Sequence, residues 1–295
     1  MAEPAAAEER PAWYNEPCCL GIDEAGRGPV LGPMVYATAW APISKSKELK
    51  AMGFADSKTL NEEKRVRLYE AIQRHGGLLG YEADVLSAAT ISGKMLSKER
   101  VSLNALAFES TCKLIEGVLA RGVNLAEAYI DALGDTTKHK ERLSQRFPGV
   151  QFTVEAKADA TYPIVSAASI VAKVTRDHAL RDFVLQEAAG ISTQFGSGYP
   201  ADPETKKWLE ASIDRVFGFP SLVRFSWSTC NPLLEQHGAV VKFEADADDA
   251  PGQQTLNFGG RAAGSSAPGA AAASSGAGRH SYFRARKMQR AGLAF

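Results

Sequence analysis

The sequence has no excess of either charge: 34 Lys and Arg residues stand against 34 Asp and Glu. That balance counts against a chain that binds polyanions through bulk charge, so any nucleic-acid contact has to rest on a local basic stripe. Cysteine is sparse. Its four residues are the adjacent Cys18 and Cys19 and the isolated Cys112 and Cys230. There is no C-x-x-C motif and no disulfide framework, a pattern suited to a reducing compartment. The histidines at 75, 139, 178, 237 and 280 lie far apart and lack zinc-site spacing. No apolar run approaches the roughly 18 residues needed to cross a bilayer, so no membrane partner is expected. A Walker-type Gly-Lys-Ser/Thr element and a Gly-x-Ser-x-Gly elbow are both missing. Gly26-Arg27-Gly28 does not open a dinucleotide fingerprint, because Leu31 takes the place of the third glycine.

What is there is a set of carboxylates at the ends of short apolar runs. Cys18 to Ile22 reads as a buried strand, and Asp23-Glu24 close it before the Gly/Pro-rich break Gly26-Arg27-Gly28-Pro29. Side chains alternate along a strand, so the two acids share a face only if the strand is ending there. Unpaired buried charge is costly, and a divalent cation would compensate it. Ala128-Tyr129-Ile130 is a second short run and ends at Asp131. A third, Gln151 to Ala156, leads through Lys157-Ala158 to Asp159 and a long apolar helical stretch. Singly, each acid has a plain structural reading: an acidic turn, a loop start, a helix N-cap. Together they suggest one site, because sheet proteins gather sites at strand ends. Several carboxylates on two divalent ions about 4 Å apart are what phosphoryl transfer requires, and Mg²⁺ favours such oxygen ligands.

Six blocks in order carry a family resemblance. They are Gly21-Ile22-Asp23-Glu24-Ala25-Gly26-Arg27-Gly28-Pro29 with Gly32-Pro33, Asp56-Ser57-Lys58, the exit at Asp131, and Lys157-Ala158-Asp159 before Val165 to Ile170. Gly196-Ser197-Gly198-Tyr199-Pro200 and Phe217 to Pro220 with Val223-Arg224-Phe225-Ser226-Trp227 complete the set. Over roughly residues 17 to 235 the chain resembles type 2 ribonuclease H. Its last two blocks and long tail are more similar to the catalytic subunit of the eukaryotic enzyme than to the compact bacterial form.

The resemblance implies a metal-dependent endonuclease that cuts the RNA strand of RNA/DNA hybrids and cuts 5′ of single ribonucleotides embedded in duplex DNA. It implies roles in Okazaki primer processing and ribonucleotide excision. It assigns Asp23, Glu24, Asp131 and Asp159 to two Mg²⁺ ions, with Mn²⁺ as substitute. It gives the Gly26-Arg27-Gly28 loop to the ribose 2′-hydroxyl and Tyr199 to the ribose at the RNA-to-DNA junction. Glycine lets a backbone approach a sugar closely, and the 2′-OH separates RNA from DNA. Arg27 and Lys58 would hold phosphates, which position a duplex without reading its bases. Asn104 is a further contact by position, and equally a plain helix-surface residue. Lys58 and Thr59 could instead cap the helix that starts near Asn61. Two accessory subunits in a heterotrimer and a nuclear location also follow from the resemblance. The alternatives are another polynucleotidyl transferase or exonuclease of the same fold, or a non-catalytic nucleic-acid-binding module.

The layout predicts an α/β fold: a ribonuclease H-like mixed sheet flanked by helices, with a small, mostly helical C-terminal extension. Val35 to Trp40 is expected to run antiparallel to the first strand, and Leu78 to Val85 to form another. Helices are expected over 62 to 75, 99 to 120, 137 to 146 and 161 to 189, the last interrupted by Pro163. Trp208, Phe217, Phe219 and Trp227 read as core rather than as stacking residues. Clusters around Lys64-Arg65-Arg67, Lys94-Lys98-Arg100 and Lys206-Lys207 are candidates for a basic groove, and equally solvated helix faces. The expected organisation is a disordered leader at 1–16 and a catalytic domain at 17–190. An extension carrying Tyr199 follows at 191–242, then a disordered linker at 243–278 and a subunit-docking segment at 279–295. Within the linker, Gln253 to Phe258 faintly resembles a sliding-clamp-binding box, although Gly259-Gly260 stand where its aromatics should be.

Overall fold

The computed structural model describes residues 10–54, 61–132, 134–185, 187 and 191–240. The chain divides into two units, Met1–Val240 and Val241–Phe295, and every described residue belongs to the first. Five strands build the sheet: β1 (Cys18–Ala25), β2 (Met34–Pro42), β3 (Gly80–Leu86), β4 (Leu125–Asp131) and β5 (Gln151–Glu155). Their spatial order is β3-β2-β1-β4-β5. The antiparallel β2 pairs with β1 and β3, whereas β4 runs parallel to both β1 and β5. The expected mixed sheet and its antiparallel second strand are both present.

Helices cover both faces. In chain order they are α1 (Ser46–Ala51), α2 (Glu62–Arg74), α3 (Ala88–Met95), α4 (Leu103–Ala120), α5 (Thr136–Arg146), α6 (Ala158–Thr161), α7 (Pro163–Arg181), α8 (Pro203–Ser212) and α9 (Cys230–His237). Cys18, Leu20 and Ile22 of β1 face a core built with Leu106, Ile115 and Val118 of α4 and Leu143 of α5. On the other face, Cys19, Val35, Ala37 and Ala39 meet Val165, Ala168 and Val171 of α7. The alternation of the strands thus sorts β1 into two cores.

The α7 side is unusually close. A Cβ on Gly21 would collide with the backbone carbonyl of Ile164, so only glycine lets α7 lie down on β1. The small residues Ser166, Ala167, Ala168 and Ser169 fill the first turns of α7 and are all buried. Pro163 sits in the first turn of this helix, where its missing N–H costs nothing.

Several boundaries differ from the sequence expectation. Residues 10–16 are built into the domain: Ala12–Asn15 forms a 3₁₀ turn, Tyr14 is buried and accepts the Asn124 N–H at its carbonyl. A leader running to residue 16 is therefore too long, because Trp13 and Tyr14 supply apolar surface to the core. Helix α4 starts at Leu103 and not at 99, since Ser102 caps it by accepting the Ala105 N–H. Helix α7 ends at Arg181, short of 189. Asn61 provides the side-chain cap of α2 by accepting the Lys64 N–H, and Lys58 and Thr59 lie outside the described residues. All four cysteines are buried free thiols.

After α7 the chain builds a satellite core from Trp208, Leu209, Phe219, Leu222, Val223 and Cys230, together with Val30 and Leu31 from the loop after β1. Its regular helices are α8 and α9. Phe217 is 83 % exposed, so the expectation of a core residue fails there. Backbone bonds join this extension to the loop after β1: Val30 N–H to Gly198 (2.8 Å), Gly32 N–H to Leu222 (2.8 Å) and Arg224 N–H to the Val30 carbonyl (2.8 Å). The loop and the extension therefore form one rigid corner. No helix among the described residues is long and apolar enough to cross a membrane.

Candidate active site

The parallel register sets Ile22 beside Ile130, so Asp23, two residues before the end of β1, and Asp131, the last residue of β4, emerge side by side on the α7 side of the sheet. Asp159 enters from the first turn of α6, which follows β5 directly. One carboxylate oxygen from each of Asp23, Asp131 and Asp159 lies within 4.8 Å of the other two. Asp23 and Asp159 are buried and Asp131 is half-buried.

Local structure fixes each acid. Asp23 Oδ1 accepts the Glu24 N–H at 2.7 Å, and the Ser169 hydroxyl bonds to its carboxylate. Asp131 Oδ1 accepts the N–H groups of Lys157 (2.7 Å) and Ala158 (3.4 Å). Lys157 reaches this position in a left-handed conformation at φ 62°, rare for a side chain with a Cβ. Ser166 Oγ donates to the Asp159 carbonyl at 2.5 Å and ties α6 to α7. Burial pushes the Asp23 carboxyl up to about 7, and the charges of Asp131 and Asp159 push the same way against the Ser169 hydrogen bond. Acids gathered so closely are costly to ionise together without a cation. An all-carboxylate set of this kind suits a hard divalent ion.

Glu24 stands apart from these three. It alternates to the opposite side of β1 and lines a cleft of about 240 Å³ with Arg27, Tyr36, Asn104, Asp131 and His139. The two neighbouring acids of the sequence thus approach one region from different faces, and Asp131 borders both. Arg27 spans the cleft mouth: its guanidinium donates to Tyr36 Oη at 3.3 Å and to Asn104 Oδ1. Tyr199, 50 % exposed, lies against Gly28 at a second, shallower groove with Arg27, Met95, Leu103, Ser226 and Trp227. Asp23, Glu24, Asp131, Asp159, Arg27, Asn104 and Tyr199 therefore share one side of the molecule, around Gly26 to Gly28. Lys58 lies outside the described residues.

The candidate basic helices are different. Arg67 pairs with Glu63 (2.6 Å), Lys94 with Glu109 (2.9 Å) and Lys207 with Glu204 (2.8 Å). These three pairs are solvent-exposed and of small energetic weight.

A family model described as Ribonuclease HII matches residues 20–230. The chain belongs to the ribonuclease HII family. It is 52 % identical over 244 residues to the A subunit of ribonuclease H2 from Arabidopsis thaliana, covering 82 % of this chain and 81 % of that protein. The ribonuclease H2 structure from Pyrococcus horikoshii is 33 % identical with a TM-score of 0.63, over 75 % of this chain and 98 % of that one. RNase HII of Archaeoglobus fulgidus, solved as a complex with PCNA, is 30 % identical with a TM-score of 0.60, over 77 % of this chain and 99 % of that one. Like its family, the chain is a hydrolase of the ribonuclease H class, with a mixed sheet and flanking helices of the ribonuclease H kind.

A residue behind the Gly26 to Gly28 loop had no role assigned from the sequence. Arg224 is fully buried, 0 % exposed, yet charged residues are almost always expected outside. Burial first, and then the neighbouring Arg176, pull its pKa down to about 9. The signal in the sequence was its place in an aromatic block, Phe225-Ser226-Trp227, where a guanidinium can be covered by a ring.

Proposed function

We propose that this ribonuclease HII hydrolyses the RNA strand of RNA/DNA hybrids and cuts on the 5′ side of single ribonucleotides in duplex DNA, leaving 3′-hydroxyl and 5′-phosphate ends. The observation that carries this reading is the convergence of Asp23, Asp131 and Asp159 within 4.8 Å beside the Gly26-Arg27-Gly28 loop. A DNA-only nuclease of the same fold has no use for a close-approach loop at the sugar, and a non-catalytic binding module has no use for three acids that repel phosphate.

Asp23, Asp131 and Asp159 are the ligands of two Mg²⁺ ions, Mn²⁺ substituting, with Glu24 completing the set from the cleft side. When bound, such ions lower the pKa of water and stabilise charge on the leaving oxygen. The residues of the chain supply position. Ser169 and the backbone of Lys157 and Ala158 hold the carboxylates of Asp23 and Asp131 in fixed orientations. Arg27, presented beside Asn104, takes a phosphate of the ribonucleotide strand. The backbone of Gly26 to Gly28 reads the 2′-hydroxyl, and Tyr199 packs on the sugar at the junction. Selectivity then arises from the sugar and not from base edges.

Assembly with two accessory subunits belongs to the same reading, supported by the Arabidopsis relative being itself one lettered component of a larger enzyme; so does a nuclear location. Neither the clamp-like box at 253–258 nor the docking segment at 279–295 falls within the described residues. The test is cleavage of a duplex with one ribonucleotide, beside an all-DNA duplex and an Asp23→Asn control, by the chain alone and with its accessory subunits. Cutting only at the ribonucleotide and only by wild type is the expected result. Persistent silence in both forms, or equal cutting of all-DNA, refutes the reading.

A further inference from the structure

We infer that Arg224 and Trp227 are positioning residues for 2′-hydroxyl selectivity, holding the Gly26-Arg27-Gly28 loop in its reading conformation from the C-terminal extension. The inference rests on the assignment of that loop to the ribose.

The buried guanidinium of Arg224 donates to three carbonyls of the loop region: Gly26 (2.6 Å), Arg27 (3.1 Å) and Gly32 (2.8 Å). The indole Nε1–H of Trp227 donates to the next carbonyl, Gly28, at 3.1 Å. Trp227 also covers the guanidinium, whose carbon lies 4.8 Å from its ring centre. The consecutive carbonyls of Gly26, Arg27 and Gly28 are thus all drawn toward the extension. In a trans peptide the N–H points opposite to the carbonyl of the same unit, and no cis bond occurs among the described residues. Fixing the Gly26 and Arg27 carbonyls therefore aims the N–H groups of Arg27 and Gly28 away from Arg224. Gly28 borders the Tyr199 ring: a Cβ there would stand 3.3 Å from it. The donors and the aromatic ring consequently frame one place for a sugar.

Such geometry is not available to a free loop. Gly26 has φ 77°, and a Cβ there would meet Arg176 Nε at 2.5 Å, so the turn is both left-handed and crowded. A planar guanidinium with donors on several sides is the side chain able to hold three carbonyls at once; a lysine ammonium is a point charge on a flexible stem. The extension thus does more than carry Tyr199 to the site. It sets the peptide planes that face the ribose.

The test uses the full-length protein in its native assembly, with Arg224→Lys and Trp227→Phe. The readouts are kcat/KM on a duplex with one ribonucleotide, the ratio of Kd values for that duplex and its all-DNA counterpart in Ca²⁺, and the Mg²⁺-induced rise in Tm. Arg224→Lys is expected to lower kcat/KM roughly ten- to hundredfold, the scale of a mispositioned contact, and to shrink the Kd ratio. Trp227→Phe keeps the ring and loses one donor, for a loss of roughly two- to tenfold. Both keep the Mg²⁺-induced rise in Tm, because the acids are untouched. An undiminished Kd ratio in a folded Arg224→Lys protein overturns the inference. If Arg224→Lys loses the Mg²⁺ response through misfolding, Trp227→Phe decides, and wild-type selectivity there overturns it as well. A wild-type protein with no preference for the ribonucleotide overturns instead the loop assignment beneath it.

Discussion

Removing the charge of Asp23 should stabilise the metal-free protein at alkaline pH while abolishing its response to metal. Asp23 is buried against Asp131 and Asp159, and its pKa stands at about 7 against an ordinary 3.8. A raised carboxyl pKa means the folded state holds the proton more tightly than the unfolded chain does. The protonated form thus contributes stability that is complete below pH 3.8 and is lost as pH rises through 7. At about 1.4 kcal/mol per pKa unit, the loss reaches about 4 kcal/mol at pH 8, of which roughly 2–3 kcal/mol falls between pH 5 and pH 8. For a domain of this size that corresponds to roughly 5–10 °C in Tm. Asp23→Asn is neutral throughout and loses this slope. Thermal melts in EDTA at pH 5 and pH 8 are the assay. The variant should melt above wild type at pH 8 and close to it at pH 5. Adding Mg²⁺ at pH 8 should raise wild type and leave the variant where it was. Equal pH slopes in the two proteins would refute the electrostatic argument for a cation site at these acids.

Other outcomes follow from the same geometry. Asp131→Asn should abolish cleavage while sparing duplex binding, measured by gel assay and anisotropy; residual cutting above about a hundredth of wild type contradicts its role. Tyr199→Ala should weaken cutting at single ribonucleotides more than along continuous hybrids, and equal losses on both count against a junction role. Gly21→Ala should cost at least roughly 1–3 kcal/mol in urea titration, because its Cβ meets the α7 backbone and neither strand nor helix can yield. A variant as stable as wild type would show that α7 is free to shift off the sheet.

Much of this site was legible because the sheet announces it. Apolar runs that stop at an acid marked the end of β4 and a point two residues short of the end of β1, and the parallel register brings the two acids together. The split between Asp23 and Glu24 was also implicit in strand alternation, although only the structure shows β1 continuing to Ala25 and so sending the two acids to different faces. Other features carried little local signal. Arg224 stands in an aromatic block, but its partners are carbonyls nearly 200 residues earlier in the chain. Helix α3 is short and contains Gly93, so its periodicity is weak. Tyr14 and Trp13 sit among Pro and Glu residues that suggest a solvated leader, yet their rings are taken up by the core. One cation in each charge cluster, Arg67, Lys94 and Lys207, is paired with an acid one turn away or on another helix, which the cluster itself does not show.

The most direct measurement of the central claim is anomalous diffraction from Mn²⁺ in crystals of the protein bound to a duplex with one ribonucleotide, with Asp23→Asn crystals for comparison. Two peaks in contact with the carboxylates of Asp23, Asp131 and Asp159, beside the phosphate on the 5′ side of the ribonucleotide, are the expected result, and they should vanish or weaken in the variant. Absence of any peak at these carboxylates, with cleavage by wild type intact, would contradict the account.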